Sequence, residues 1–256
     1  MSTPEPVPTP RRRGIYLLPN LFTTGGLFAG FYAIVAGING RYDDAAIAVF
    51  VAGLLDGIDG RIARLTNTQS EFGMQYDSLA DLVSFGLAPA LVMYTWSLSS
   101  LAAFGPVWAK IGWSAAFFYA ACAAVRLARF NTMVGTTDKR YFIGLASPAA
   151  AGLMMSFTWA ALEEGITPHD AMYLALAVTT IAGILMVSRI RYWSFKAAPV
   201  SDRVPFLWVP VLLVVFVALA IDTPRVLFGI AVMYVLSGPI FWLAGRGRPR
   251  VAAANE

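Results

Sequence analysis

The stretch DGIDGRIARLTNTQSEFGMQYDSLAD, residues 56–81, decides how the chain is read, because it sets Asp56, Asp59, Asp77 and Asp81 into otherwise apolar sequence. An ionised aspartate facing hydrocarbon costs several kcal/mol unless it meets a cation, a partner charge or water. Four together, with only Arg61 and Arg64 as nearby cations, imply a bound counter-ion. Asp56 and Asp59 lie three residues apart, and Asp77 and Asp81 four apart, so each pair falls on one face of its helix. Two facing pairs make a pocket. Carboxylate oxygens without histidine or cysteine select hard cations such as magnesium, manganese or calcium, and such a pocket can hold two ions about 4 Å apart, as in phosphoryl-transfer sites. A diphosphate is the natural ligand. Gly60, Ala63 and Gly73 put small side chains on the same surfaces, where a flat base or a phosphate can approach the backbone, and Arg64 can neutralise a phosphate at the rim.

The surrounding composition fixes the setting. With 58% hydrophobic and 13% charged residues and a mean hydropathy of +0.64, the chain is too apolar for a soluble domain of its length. Apolar stretches near 16–38, 44–63, 74–97, 107–128, 146–162, 170–187, 205–221 and 225–244 predict an all-α, polytopic membrane protein of about eight transmembrane helices. The break from Ser97 to Lys110 is the least distinct. Sixteen of the 19 basic residues fall in alternate loops: Arg11–Arg13, Arg61 and Arg64, Arg126 to Arg140, Arg189 to Arg203, and Arg246 to Arg250. Only Arg41, Lys110 and Arg225 fall on the other side, which places both termini and the aspartate motif in the cytoplasm and requires an even number of spans. Residues 1–13, rich in proline and ending in three arginines, read as a disordered cytoplasmic tail, 14–245 as the membrane domain, and 246–256 as a basic cytoplasmic tail. Cys122 stands alone in an apolar run and reads as packing, and His169, after Thr167-Pro168, as the first turn of a helix.

Eight positions then match a known pattern: Asp56, Asp59-Gly60, Ala63-Arg64, Gly73, Asp77 and Asp81, at fixed spacings. This order resembles the signature of the CDP-alcohol phosphotransferases without a departure. The resemblance implies a six-helix membrane core, usually homodimeric, that binds a cytidine diphosphate-linked donor, uses Mg2+ or Mn2+, and transfers the phosphoryl-linked group to an alcohol with release of CMP. It also implies that Asp56, Asp59 and Asp77 ligate metal, that Asp81 divides its duty between metal and general base, and that Gly60, Ala63, Arg64 and Gly73 line the nucleotide pocket. On physical grounds, an alcohol hydroxyl is a poor nucleophile at neutral pH, so a carboxylate must take its proton, and Asp81, deepest in its helix, is the chosen base. No Ser, His or Cys stands in a recognisable nucleophile setting, which favours direct in-line attack.

Longer stretches resemble one branch, the membrane-integral phosphatidylserine synthases of bacteria and archaea: Leu18 to Thr23, Asp77 to Pro89, Arg126 to Asn131, Gly144 to Ala150 and Tyr192 to Lys196. Ala146 and Trp193 stand where that branch commonly has proline. The branch implies CDP-diacylglycerol and L-serine as partners, surrounding lipid, no nucleic acid, and a place in the bacterial inner membrane with the site facing the cytoplasm. Arg126, Arg129 and Lys196, with Asn131 and Ser84, are the candidates for the serine carboxylate and ammonium or for a phosphate. Glycerol 3-phosphate, inositol phosphate or choline are alternative acceptors, and a divalent-cation or proton transporter is the alternative of a different class. Asn20 and Thr23, in the first apolar stretch, are candidates for bonding the nucleotide or for capping the helix after Pro19.

Overall fold

The computed structural model describes residues 17–66, 70–132, 141–193 and 208–245, and the tails expected at 1–13 and 246–256 lie outside them. The chain runs through α1 (Leu17–Ile38), α2 (Tyr42–Leu65), α3 (Glu71–Asp81), a π-helical turn (Leu82–Leu87), α4 (Ala88–Trp96) and a 3-10 turn (Leu98–Phe104). It continues through α5 (Pro106–Thr132), β1 (Tyr141–Ile143), α6 (Ser147–Glu163), α7 (Pro168–Val187), β2 (Arg191–Trp193), α8 (Trp208–Ile221) and α9 (Thr223–Gly245). Leu82, Leu87 and Ala88 keep right-handed helical angles, so α3, the π turn and α4 form one rod. Among the described residues this makes eight helical rods, closely matching the eight apolar stretches.

Five of the rods are long and apolar enough to cross a bilayer: α1, α3 through α4, α5, α7 and α9. The others have evident shortfalls. α2 carries Asp43, Asp44, Asp56, Asp59, Arg61 and Arg64, α6 has 17 residues, and α8 has 14. The protein is thus a multi-pass membrane protein with, among the described residues, one departure from an all-α chain, a short antiparallel ribbon in which Tyr141 pairs with Trp193 and Ile143 with Arg191.

Local chemistry explains the boundaries. Ser70 caps α3 by accepting the Gly73 N–H at 3.0 Å, and Thr167 caps α7 by accepting from the Asp170 N–H, with Pro168 opening the helix and His169 in its first turn. Ala146, in the place where proline is common, has φ −64° and ψ 136°, angles that proline itself adopts, so the substitution leaves the start of α6 unchanged.

The interior is built on small residues. Ala29, Ala33 and Ala36 of α1 meet Ala45, Ala48 and Ala52 of α2 in the buried core, and α1 against α2 is the most extensive helix pair. Without water to drive association, membrane helices hold together by such close packing, while the outward residues, Phe28 and Phe31 among them, are large and apolar. At Gly30 α1 and the π turn approach closely: a Cβ there would lie 2.7 Å from the Ser84 Cα. The π turn leaves its backbone short of regular partners, and Tyr119, fully buried on α5, donates to the Phe85 carbonyl at 2.9 Å.

Tight connections gather at one end of the bundle. Ser97 Oγ donates to the Pro168 carbonyl at 2.7 Å, and Arg225 pairs with Glu164 at 2.6 Å and with Asp222, whose carboxyl its hydrogen bond holds below the usual carboxylate value. The pairs are exposed and mark where the turns meet more than they stabilise. The longer connections, which carry six of the 19 basic residues, leave from the end where α2 finishes and α3 begins, the end at which Arg61, Arg64, Arg126 and Arg129 also lie.

Candidate active site

Asp59 lies six residues before the end of α2 and Asp77 six residues after the start of α3, so both sit about 9 Å in from the helix ends at 1.5 Å per residue. Asp81 is one turn deeper. Carboxylate oxygens of Asp56, Asp59 and Asp77 lie within 4.8 Å of one another. An all-oxygen set on two rigid helices fits a hard divalent cation. Asp81 is outside this trio, yet it lines the same narrow cleft, together with Thr23, Gly26, Ala52, Ala80 and Phe85. The cleft encloses only about 10 Å³, room for one water-sized sphere.

Each carboxylate is placed by its surroundings. Asp59, 4% exposed, accepts a hydrogen bond of 2.7 Å from Thr23 Oγ1 of α1, for which the Pro19 carbonyl at 3.1 Å is the alternative acceptor. Asp81 feels the negative charges of Asp56, Asp77 and Asp59, and the opposing positive charge of Arg126 on α5. Arg126 Nη1 donates to Ser147 Oγ at the start of α6 at 2.8 Å, and its Nε is buried with no hydrogen-bond partner among the described residues. A guanidinium with an unused donor at the edge of a carboxylate cluster can receive an anion.

The structure distributes the other candidates as follows. Asn20 stands in the first turn of α1 with Oδ1 3.5 Å from the point where a Gly73 Cβ would lie, so these two share one wall. Beside them Thr24 pairs with the Tyr76 hydroxyl at 2.9 Å. Gly60 is exposed, and a Cβ there would meet nothing within 4 Å, while Ala63 is half-buried on the next turn. Arg64 lies in the last turn of α2, and its side chain, like all of Lys196, falls outside the described residues. Ser84 lines the cleft, but its hydroxyl donates to the Gly26 carbonyl of α1 at 3.0 Å, a bond between helices and not within its own. Asn131 Nδ2 donates to Ser78 Oγ at 3.0 Å, tying the end of α5 to α3 between Asp77 and Asp81. Arg129 is half-buried one turn beyond Arg126.

Two neighbours of the site were not singled out from sequence. Ser147 gave no signal, being one hydroxyl before a proline in an apolar run. Tyr234 of α9, half-buried within electrostatic reach of Arg126, lies 108 residues further along the chain, where spacing carries no information.

Comparison with known proteins agrees with this geometry. A CDP-diacylglycerol–serine O-phosphatidyltransferase of Helicobacter pylori is 36% identical over 229 residues, covering 90% of this chain and 92% of that protein. Proteins of the same name from Mycobacterium tuberculosis and Bacillus subtilis are 34% identical over 199 residues and 31% over 181, covering 75% and 70% of this chain and 67% and 91% of their own lengths. Residues 16–188, which hold the aspartates and the rods from α1 to α7, match the CDP-alcohol phosphatidyltransferase family, and the chain belongs to it.

Proposed function

We propose that the protein transfers the phosphatidyl group of CDP-diacylglycerol to the hydroxyl of L-serine, giving phosphatidylserine and CMP. The observation that carries this reading is the separation of duties in one cleft: three carboxylates within 4.8 Å of one another, a fourth beside them, and Arg126 behind the fourth. Relatives at up to 36% identity carry the name of that activity.

Asp56, Asp59 and Asp77 would hold Mg2+ or Mn2+, with Asp81 at the edge of the set. When bound, the cation supplies positive charge for the diphosphate and for the departing CMP phosphate. Asn20, Gly60, Ala63, Arg64 and Gly73 would line the CDP moiety. The open space above Gly60 supports this, since no protein atom requires a glycine there. Asp81 accepts the proton of the serine hydroxyl as its oxygen forms the new bond to the phosphatidyl phosphorus and the bond from that phosphorus to the CMP oxygen breaks. Arg126 takes the serine carboxylate, with Arg129 and Lys196 adding positive charge toward the cytoplasm. Ser84 and Asn131, whose polar atoms already bond Gly26 and Ser78, hold α1, α3 and α5 together around the acceptor.

The same reading includes eight spans with both termini cytoplasmic, a six-helix core extended by α8 and α9, an inner-membrane location with the site facing the cytoplasm, and a homodimer. The basic end of the bundle and the six rods within residues 16–188 support the first two.

The test is CMP release by purified protein from CDP-diacylglycerol, offered L-serine, glycerol 3-phosphate, inositol phosphate or choline. Release with serine alone, with phosphatidylserine formed, is expected. Release with another acceptor in preference to serine would overturn the acceptor while keeping the metal chemistry.

A further inference from the structure

The end of the bundle away from the aspartates carries three lysine or arginine residues among those described, Arg41, Lys110 and Arg225, and two of them are already engaged. Arg41 donates to the Tyr32 hydroxyl at 2.7 Å and lies 3.5 Å from the Asp44 carboxylate, and Arg225 is held by Glu164 and Asp222. Lys110, exposed near the start of α5, has neither an acidic nor a hydrogen-bonding partner among the described residues. It lines a groove of about 520 Å³ between α5 and α7.

Both helices begin at this end, so depth along the groove follows from residue number. At 1.5 Å per residue, Lys110 lies about 6 Å in from the helix start, Ser114 and Leu176 about 12 Å, and Phe118 and Thr180 about 18 Å. That length is close to half the roughly 30 Å hydrocarbon thickness of a bilayer, the reach of one leaflet. Phe104, Trp108, His169 and Tyr173 pack ring to ring around the starts of the same two helices, with centroids 5.7 to 6.3 Å apart. Tryptophan and tyrosine concentrate at the membrane–water boundary, so the cluster puts the Lys110 ammonium, two residues beyond Trp108, at the depth of lipid phosphates. Below it, the Ser114 hydroxyl makes no hydrogen bond among the described residues. Ser156, Thr158 and Thr179, by contrast, bond the carbonyl four residues back in their own helices. A hydroxyl facing lipid with its donor unused can serve an ester oxygen.

We infer that this groove binds an anionic phospholipid of the leaflet opposite the aspartates, with its phosphate on Lys110, its ester oxygens near Ser114 and an acyl chain along Ile111, Leu176 and Phe118. The site is separate from the cleft at the aspartates and does not depend on which alcohol is the acceptor. An apolar groove alone would take any acyl chain, and the unpaired ammonium at its mouth is what selects a charged headgroup. A second copy of the chain covering this face would have to bring a carboxylate to Lys110, whereas lipid supplies phosphate at that level already.

The test is native mass spectrometry of the purified full-length protein titrated with phosphatidylglycerol. Lys110→Gln is expected to weaken the binding of one phosphatidylglycerol roughly tenfold, the scale of one hydrogen bond to a charged group. Arg41→Gln, which removes another exposed charge at the same end, should leave that binding unchanged. Equal weakening by both would show only attraction to surface charge and overturn the inference, as would undiminished binding in Lys110→Gln. Ile111→Trp, which fills the groove and keeps the charge, should weaken the same lipid, and retained binding would overturn the groove's part. Diacylglycerol, which has the chains and no phosphate, should bind Lys110→Gln and wild type alike, and a loss there would contradict a phosphate contact. Inorganic phosphate should not compete, because a site for a free anion would displace the lipid reading. In the Cys122→Ala background, Ile111→Cys should resist crosslinking between protomers by a bifunctional thiol reagent in membranes. Efficient crosslinking would give the groove to a second copy and overturn the lipid as its occupant.

Discussion

Asp81 differs from the other three aspartates in position, one turn deeper than Asp77 and outside the trio that could share a cation. If it accepts the serine proton, Asp81→Asn should lower turnover by about 10²- to 10⁴-fold, the range for a lost general base, with equilibrium binding of CDP-diacylglycerol retained. Turnover close to wild type would remove Asp81 from that role. Thr23 acts one step back, since its 2.7 Å bond holds the carboxylate of Asp59. Thr23→Val keeps the shape and removes the donor, so the Mg2+ concentration for half-maximal activity should rise about 10- to 100-fold, as when other supports of metal ligands are removed. The two glycines Gly60 and Gly30 separate ligand space from packing space. Gly60→Ala meets no protein atom and should leave the melting temperature unchanged or slightly higher while raising the KM for CDP-diacylglycerol. Gly30→Ala forces a methyl group against the Ser84 backbone, where the overpacking cost of about 1–3 kcal/mol exceeds the roughly 1 kcal/mol gained in helix propensity. Its melting temperature in detergent should fall.

At the level of elements, hydropathy located the helices closely: the stretch 16–38 became Leu17–Ile38, and 170–187 became Pro168–Val187. That success follows from the bilayer, which demands long apolar runs. The aspartates were equally legible, because charge in such runs needs a reason. What escaped were features that leave no trace in composition. A π turn at Leu82–Leu87 differs from an α-helix by one residue per hydrogen-bonded loop and keeps the same apolar side chains. Strands of three residues, Tyr141–Ile143 and Arg191–Trp193, are too short to show alternation, and their pairing spans 48 to 52 residues of chain. Ser84 shows the limit from the other side: its position three residues after Asp81 pointed to the site, and its hydroxyl is bonded to Gly26 across the helix pair. The register of α1 against the π turn decided that, and no local pattern encodes it.

The molecule as a whole is polarised, with compact turns at one end and the long basic connections at the other. Cys122 is the only cysteine in the sequence and is buried, so a cysteine-free background is one substitution away. In Cys122→Ala, a cysteine replacing exposed Arg41 should react with a membrane-impermeant maleimide in intact cells, and one replacing exposed Arg191 should react only after lysis. The reverse pattern would invert the orientation. Chemistry at the aspartates remains the point on which everything else hangs. It is best tested by stripping the purified protein of divalent ions with a chelator, returning Mg2+ or Mn2+, and following serine-dependent CMP release from CDP-diacylglycerol. Activity should vanish on chelation, return with either ion, and fail to return in Asp56→Asn or Asp77→Asn. Serine-dependent release that persists without divalent ions, or that survives both substitutions, would contradict a metal-assisted phosphatidyl transfer at this cluster.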